Sequence, residues 1–206
     1  MPTKTVTDED SPTSARMKAR ILRAVVDVVA DHGLSATTLA RVADTAGVSQ
    51  GVLVFHFKSK AGLLNATCRH LTEDYVALWQ PILAEADPAQ RVIGLVGADF
   101  HDSICAPAQL ALWFAFWGES AAQPLYDDIC RAEEERRAAA MRQACRDLAQ
   151  QIAIPDPDML ATAIDGFTDG LWLQMHLQQG ALSPDQARDM ALSHLAMLVP
   201  ALAERM

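Results

Sequence analysis

Five of the ten prolines in this chain stand where a helix can begin. Asp87-Pro88-Ala89-Gln90 and Ser183-Pro184-Asp185-Gln186 set a capping residue before proline and a Gln where it completes a capping box. Asp156-Pro157, Ala106-Pro107 and Gln123-Pro124 supply three further starts. Proline at the first helical position lacks only an amide that would be unpaired there in any case. No segment sustains the apolar/polar alternation of a strand, and half of the 206 residues are apolar. An all-α chain with a substantial core is the expectation.

Between these marks the pattern predicts nine helices. The first, Ser14–Asp31, places Ile21, Val25, Val28 and Val29 on one face and stops before Gly33. Two short helices follow at Thr38–Ala46 and Ser49–Phe55, and a long one begins at Ser59 and weakens near Pro81. The remainder cover Pro88–Cys105, Pro107–Gly118, Pro124–Gln151, Pro157–Gln179 and Pro184–Leu202. Met1–Thr13, rich in Thr, Pro and acid, reads as a disordered tail.

Several functions are excluded by what the pattern lacks. The apolar runs Leu110–Trp117 and Leu195–Ala203 fall far short of the roughly 18 residues that span a bilayer. Met1–Ser14 has no apolar signal stretch, so the expected location is the cytoplasm. Cys68, Cys105, Cys130 and Cys145 form no CxxC pair, and the six histidines have no ligand spacing. Neither a metal site nor a cofactor is expected. His101-Asp102-Ser103 contains triad residue types, but adjacent helical positions point apart. With no glycine-flanked nucleophile and no phosphate loop, the chain does not read as an enzyme.

Charge is divided along the chain. The net charge is −9, yet Ala15–Asn65 holds seven Lys and Arg against three Asp. Ala66–Met206 holds nine Arg against twenty acids. A basic segment on an acidic body confines phosphate contact to one end. The densest cluster, Glu133 to Arg137, reads as a solvated helix face on which Glu133 and Arg137 pair across one turn.

Within the basic segment, Thr37 or Thr38 can cap a short helix with Leu39, Val42 and Ala43 inward. Gly47 permits a sharp turn, and Ser49 can cap a second helix with Val52, Leu53 and Phe57 inward. Gln50, Gly51, Phe55 and His56 then lie near its outer side. Two short helices about a glycine turn are the helix-turn-helix unit, whose second helix enters the major groove.

At this point the sequence resembles the TetR family of transcriptional regulators. The likeness rests on Thr37-Thr38-Leu39-Ala40, Ala46-Gly47-Val48-Ser49-Gln50-Gly51 and Phe57-Lys58-Ser59-Lys60-Ala61-Gly62-Leu63-Leu64. It implies a three-helix DNA-binding domain, 14–58, followed by a six-helix ligand-binding and dimerisation domain, 59–206. It also implies a homodimer on a roughly palindromic operator. Thr38 and Lys60 would meet phosphate; Ser49, Gln50 and Gly51 would face bases or phosphate, Gln50 being suited to adenine. Thr37, Phe55 and His56 complete the candidate contact set. Two departures stand out: Val54 where the family commonly has tyrosine, and Phe55 where it often has a polar residue. Fewer phosphate contacts follow, or compensation from Arg16, Lys18 and Arg20.

Segments of the larger C-terminal part resemble the BetI-type branch, whose members respond to choline and repress genes of betaine synthesis; with the N-terminal part the likeness covers most of Ala15–Leu177. The likeness lies in Trp113–Trp117, Gln123-Pro124-Leu125-Tyr126 and Ile164–Leu173. Asp165, Asp169, Trp172 and His176 share one helix face. With Trp113, Phe116, Trp117 and Glu119 they could enclose a cation between aromatic rings and carboxylates. Two alternatives stay open: Trp113 and Trp117 as plain core, and Asp165, Asp169 and Trp172 as part of a dimer interface. The expected function is a repressor modulated by a small effector, choline or a related quaternary ammonium. Its rivals are a regulator of efflux or catabolic genes answering to a neutral or lipophilic ligand, and a helical enzyme or binding module without DNA binding.

Overall fold

The computed structural model describes residues 12–119, 124–178 and 180–205, the side chains of 119 and 124–130 excepted. Residues 1–11 of the expected tail and the side chains of Glu119, Gln123, Pro124, Leu125, Tyr126 and Cys130 lie outside that description. Among the described residues there are ten α-helices: α1 Pro12–His32, α2 Leu39–Ala46, α3 Gln50–Phe57, α4 Lys60–Trp79 and α5 Pro88–Ala98. They continue with α6 Asp102–Cys105, α7 Pro107–Glu119, α8 Pro124–Leu148, α9 Pro157–Leu177 and α10 Pro184–Leu198. Short 3₁₀ turns occupy Gln80–Ala84 and Pro200–Arg205. No strand occurs among the described residues, and none of their helices is long and apolar enough to cross a membrane.

The prolines act largely as their positions imply. Asp156 accepts the amides of Asp158 and Met159, and Ser183 with Gln186 forms a complete capping box. The box at Asp87 stays half made. Asp87 accepts from Ala89, but the Gln90 amide donates instead to the Arg205 carbonyl, 3.1 Å away.

One expected helix is two. The stretch Pro88–Cys105 breaks at Asp99–His101, where 3₁₀-type bonds close α5 and His101 caps α6 by accepting from the Ser103 amide. His101 and Ser103 therefore do touch, Nδ1 lying 2.8 Å from Oγ, but as a helix cap. The break is held by tertiary bonds: the Asp99 carbonyl accepts both the Trp172 indole N–H, at 2.7 Å, and the Cys105 thiol.

The chain packs as two compact units. One comprises Met1–Leu71 with Ala111–Ile129; the other comprises Thr72–Leu110 with Cys130–Met206. In the first, α1 packs on α2 and α2 on α3. Ile21, Val25, Val28, Val29, Val42, Leu53, Leu63 and Leu64 are buried there. In the second, α9 packs on α10 and α10 on α5, with Val92, Leu95, Met141, Leu148, Ile164 and Leu195 fully or nearly enclosed. Each such aliphatic side chain contributes about 1.5–3 kcal/mol.

Candidate nucleic-acid interface and buried ionic cluster

The joint between α2 and α3 is built around Gly47. Its backbone is left-handed, φ 62°, and a Cβ there would stand 2.8 Å from Arg20 Nη2. The left-handed backbone favours glycine, and a side chain there would also displace the Arg20 guanidinium. Arg20 reaches from α1 to bond two carbonyls at the joint, Nε to Ala46 at 2.6 Å and Nη2 to Gly47 at 2.8 Å. Arg20 therefore serves the turn, which leaves Arg16 and Lys18 as the α1 residues able to compensate for missing phosphate contacts.

The α3–α4 joint is equally constrained. Ser59 N–H bonds the Phe57 carbonyl at 2.8 Å around Lys58, φ 67° and ψ −41°, a γ-turn that is strained for any residue with a side chain. A Cβ on Gly62 would meet the Phe57 carbonyl oxygen at 2.1 Å, so glycine alone fits. Lys60 opens α4 and its Nζ donates to the Leu34 carbonyl at 3.3 Å.

Between these joints the short second helix presents a face to solvent. Ser49, Gln50, Gly51, Val54 and Phe55 are exposed, Val52 and His56 half-buried, and Leu53 and Phe57 buried. Ser49 sits at the cap position but its hydroxyl makes no capping bond, contrary to expectation. The Val52 amide bonds the Ser49 carbonyl instead, and the Gln50 and Gly51 amides ahead of it are not taken by the Ser49 hydroxyl. Thr38 is exposed and caps α2, accepting from Arg41 N–H. Thr37 is only 1 % exposed, with its hydroxyl donating to the Gly33 carbonyl. Its hydroxyl is taken up inside the protein, so it drops from the contact set.

Of the expected cage, Trp113 and Phe116 are buried in the first unit and Trp117 is half-buried there, its ring 6.3 Å from that of Trp113. Asp165, Asp169 and Trp172 belong to the second unit. There Asp165 and Trp172 join a buried ionic cluster that periodicity did not single out.

Arg137 lies at its centre. Glu133 pairs with Arg136, at 2.6 Å, and Arg137 turns inward, which corrects the expected Glu133–Arg137 surface pair. Arg137 Nη2 donates to both Asp99 carboxylate oxygens, at 2.9 and 3.1 Å, and to the Leu95 carbonyl. Tyr75 donates its hydroxyl to the same carboxylate at 2.6 Å. The Tyr75 ring meets Trp172 edge-on at 5.9 Å. Arg137 Nη1 stands 3.8 Å from Asp165 Oδ1, and Nε and Nη1 are buried with no hydrogen-bond partner among the described residues. A signal did exist: Arg137 continues the buried Met141, Ala144, Leu148 stripe of α8 at helical spacing.

The buried Arg137 guanidinium therefore faces two carboxylates, Asp99 and Asp165, and the electrostatics reflect it. Burial raises the Asp99 carboxyl against the pull of Arg137. Burial also penalises the Arg137 charge, but Asp99, Tyr75 and Asp165 outweigh it and hold the guanidinium above its usual value. Burial, with Asp99 and Asp169 nearby, lifts Asp165 to about 7 despite Arg137. Asp169 is open to solvent on one side, yet the protein mass around it and the charges of Asp99 and Glu134 bring it to about 6. Among the described residues no cluster of His, Cys, Asp and Glu could hold a metal ion.

Comparison with known proteins places these features. Residues 21–67 match the signature of the bacterial regulatory proteins of the tetR family. Residues 88–200 match that of the BetI-type transcriptional repressor C-terminal domain. The HTH-type transcriptional regulator BetI of Paraburkholderia phymatum is 32 % identical over 87 % of this chain and 88 % of its own. A transcriptional regulator of Pseudomonas aeruginosa superposes with a TM-score of 0.77 at 22 % identity, over 98 % of this chain and 99 % of its own. Another, from Saccharomonospora viridis and in complex with choline, superposes with a TM-score of 0.75 at 22 % identity, over 88 % and 96 %.

Proposed function

Because this chain belongs to the TetR family of bacterial regulatory proteins, with a C-terminal domain of the BetI type, we propose that it is a homodimeric repressor released from a roughly palindromic operator by a small cationic effector. It is a transcriptional regulator and not an enzyme. Ser49, Gln50, Gly51 and Phe55 on α3, with Thr38, His56 and Lys60 beside it, are the proposed DNA contacts. Residues 14–58 are the proposed DNA-binding domain and 59–206 the effector and dimerisation domain.

Choline is the first candidate for the effector, and the ionic cluster carries that reading. Asp165 and Asp169 leave it with more carboxylates than cations, beside the Tyr75 and Trp172 rings that attract quaternary ammonium groups. The unpartnered N–H groups of Arg137 call for an acceptor, which a hydroxyl supplies. The choline complex of the Saccharomonospora regulator, a protein of the same fold, agrees with this reading. Genes of choline and betaine metabolism are the targets that follow. The effector must bind the two conformations unequally, since equal affinity shifts nothing.

A stripe on α9 supports the dimer. Met159, Ala163, Gly166, Gly170, Leu173 and Leu177 recur at helical spacing and are all exposed. A Cβ on Gly166 or Gly170 would meet nothing within 4 Å, so this chain's own packing does not require glycine at either position. Met190 and Met197 of α10 are exposed as well. Asp165 and Trp172 lie off this stripe, which favours an effector role for them over a place in the seam.

The test has two arms. A mobility-shift assay on the gene's own upstream region should show a retarded complex that choline dissolves. Tryptophan fluorescence should then change saturably with choline, less tightly with tetramethylammonium, and not with the neutral carbon isostere of choline. A response to the isostere equal to that of choline would overturn the cationic effector in favour of a neutral one.

A further inference from the structure

Two apolar side chains stand exposed on the helix that carries Gln50 and Gly51. Val54 is 46 % and Phe55 53 % exposed, and both belong to the face that Gln50 and Gly51 define. The Phe55 ring is held in place: His56 meets it edge-on at 5.0 Å, and Lys58 Nζ lies 5.6 Å from its centroid while bonding the Phe55 carbonyl. Gly51 adds an independent observation. A Cβ there would meet the Ser49 hydroxyl alone, at an ordinary 3.6 Å, so the protein's own packing does not ask for glycine. Inside a helix glycine is unfavourable by up to about 1 kcal/mol against alanine. Its presence here suits close approach of an outside body to the backbone.

What meets this face must be anionic overall yet offer apolar groups. The Ala15–Asn65 segment carries a net charge of +4, with seven Lys and Arg against three Asp. In the major groove of DNA the apolar group is the thymine 5-methyl, and aliphatic or phenyl side chains contact it. We propose that α3 reads thymine methyl groups through Val54 and Phe55, with Gln50 supplying the polar base contact beside them. This rests on the operator-binding reading above and adds the chemistry by which the operator is told apart.

Replacing thymine by uracil deletes the methyl while keeping every hydrogen-bonding group and the pairing. On a duplex that the full-length protein retards, thymine-to-uracil substitution at contacted positions should weaken binding roughly fourfold per methyl. The slope of affinity against salt should stay unchanged, because phosphate contacts are untouched. Phe55→Ala and Val54→Ala, both at exposed positions, should bind thymine and uracil duplexes more nearly alike, with thermal unfolding confirming an intact fold. Equal binding of thymine and uracil duplexes by the unaltered protein would overturn the inference while leaving operator binding standing. So would an undiminished thymine preference in both variants. If Phe55→Ala instead changes the sedimentation coefficient and not the thymine preference, the face is a protein contact and the inference falls. A protein that retards no duplex at all would overturn the operator reading itself.

Discussion

Replacing Arg137 by methionine should destabilise this protein more than any surface change, and the loss should depend on pH. The side chains of Arg137 and Asp99 are 6 % and 5 % exposed, and Nη2 supplies both carboxylate bonds as well as one to the Leu95 carbonyl. Removing one member of a buried pair strands the other, which costs about 3–5 kcal/mol. For a chain of this size that corresponds to a fall in Tm of roughly 6–20 °C. In Arg137→Met, Asp99 keeps the Tyr75 hydroxyl but loses its counter-charge. Burial already raises its carboxyl in the native protein and will raise it further without Arg137. A group whose folded pKa exceeds its unfolded value contributes stability below the unfolded pKa and loses it as pH rises through the folded one. Urea unfolding followed by circular dichroism should therefore show a smaller loss at pH 5 than at pH 8. Adding Asp99→Asn should recover part of the pH 8 loss, since a neutral amide is far less costly to bury than a lone carboxylate. A loss below about 1 kcal/mol, or the same loss at both pH values with no recovery in the double variant, would refute this account of the cluster.

Choline affinity should weaken about tenfold between pH 8 and pH 6, because a cation favours ionised Asp165, which titrates near 7; titrations at three pH values check this, and a flat profile counts against Asp165 as a ligand group. Gly51→Ala should raise thermal stability by up to about 1 kcal/mol while weakening operator binding, read by calorimetry and mobility shift on the same sample. Gly170→Leu, on the exposed α9 stripe, should keep full helicity yet shift the protein towards monomer in sedimentation; an unchanged dimer would place the interface elsewhere.

Local chemistry was legible in the sequence, and long-range chemistry was not. The Ser183–Gln186 box and the Asp156 cap lie within one helical turn, so the residues that make them announce them. Gly47 is legible for the same reason, although its second cause, the approach of Arg20, spans 27 residues. The break at Asp99 is invisible locally: nothing in Gly97-Ala98-Asp99-Phe100 forces a helix to end. It is held by Trp172, 73 positions away, and by Arg137. Gln90 left its expected box for a carbonyl 115 residues distant, and Ser49 stood at its cap position without capping. In the ionic cluster, Asp165 and Trp172 came from a helix-face argument, whereas Tyr75, Asp99 and Arg137 did not. Arg137 was obscured by the charged residues beside it, although its spacing from Met141 and Leu148 marks the buried side of α8.

Arg20 holds the α2–α3 joint by two carbonyl oxygens, and a carbonyl is the same whatever side chain its residue bears. Gly47 apart, the grip makes no demand on the identity of the residues that face outward from α3. Positions 50, 51, 54 and 55 can therefore be rewritten without disturbing how the helix is anchored to α1. With the DNA contacts proposed above, scaffold and vocabulary are separable: duplicated copies of such a gene would diverge to new operators one surface residue at a time. An engineer seeking a retargeted switch can vary those four positions and leave the rest of the head untouched.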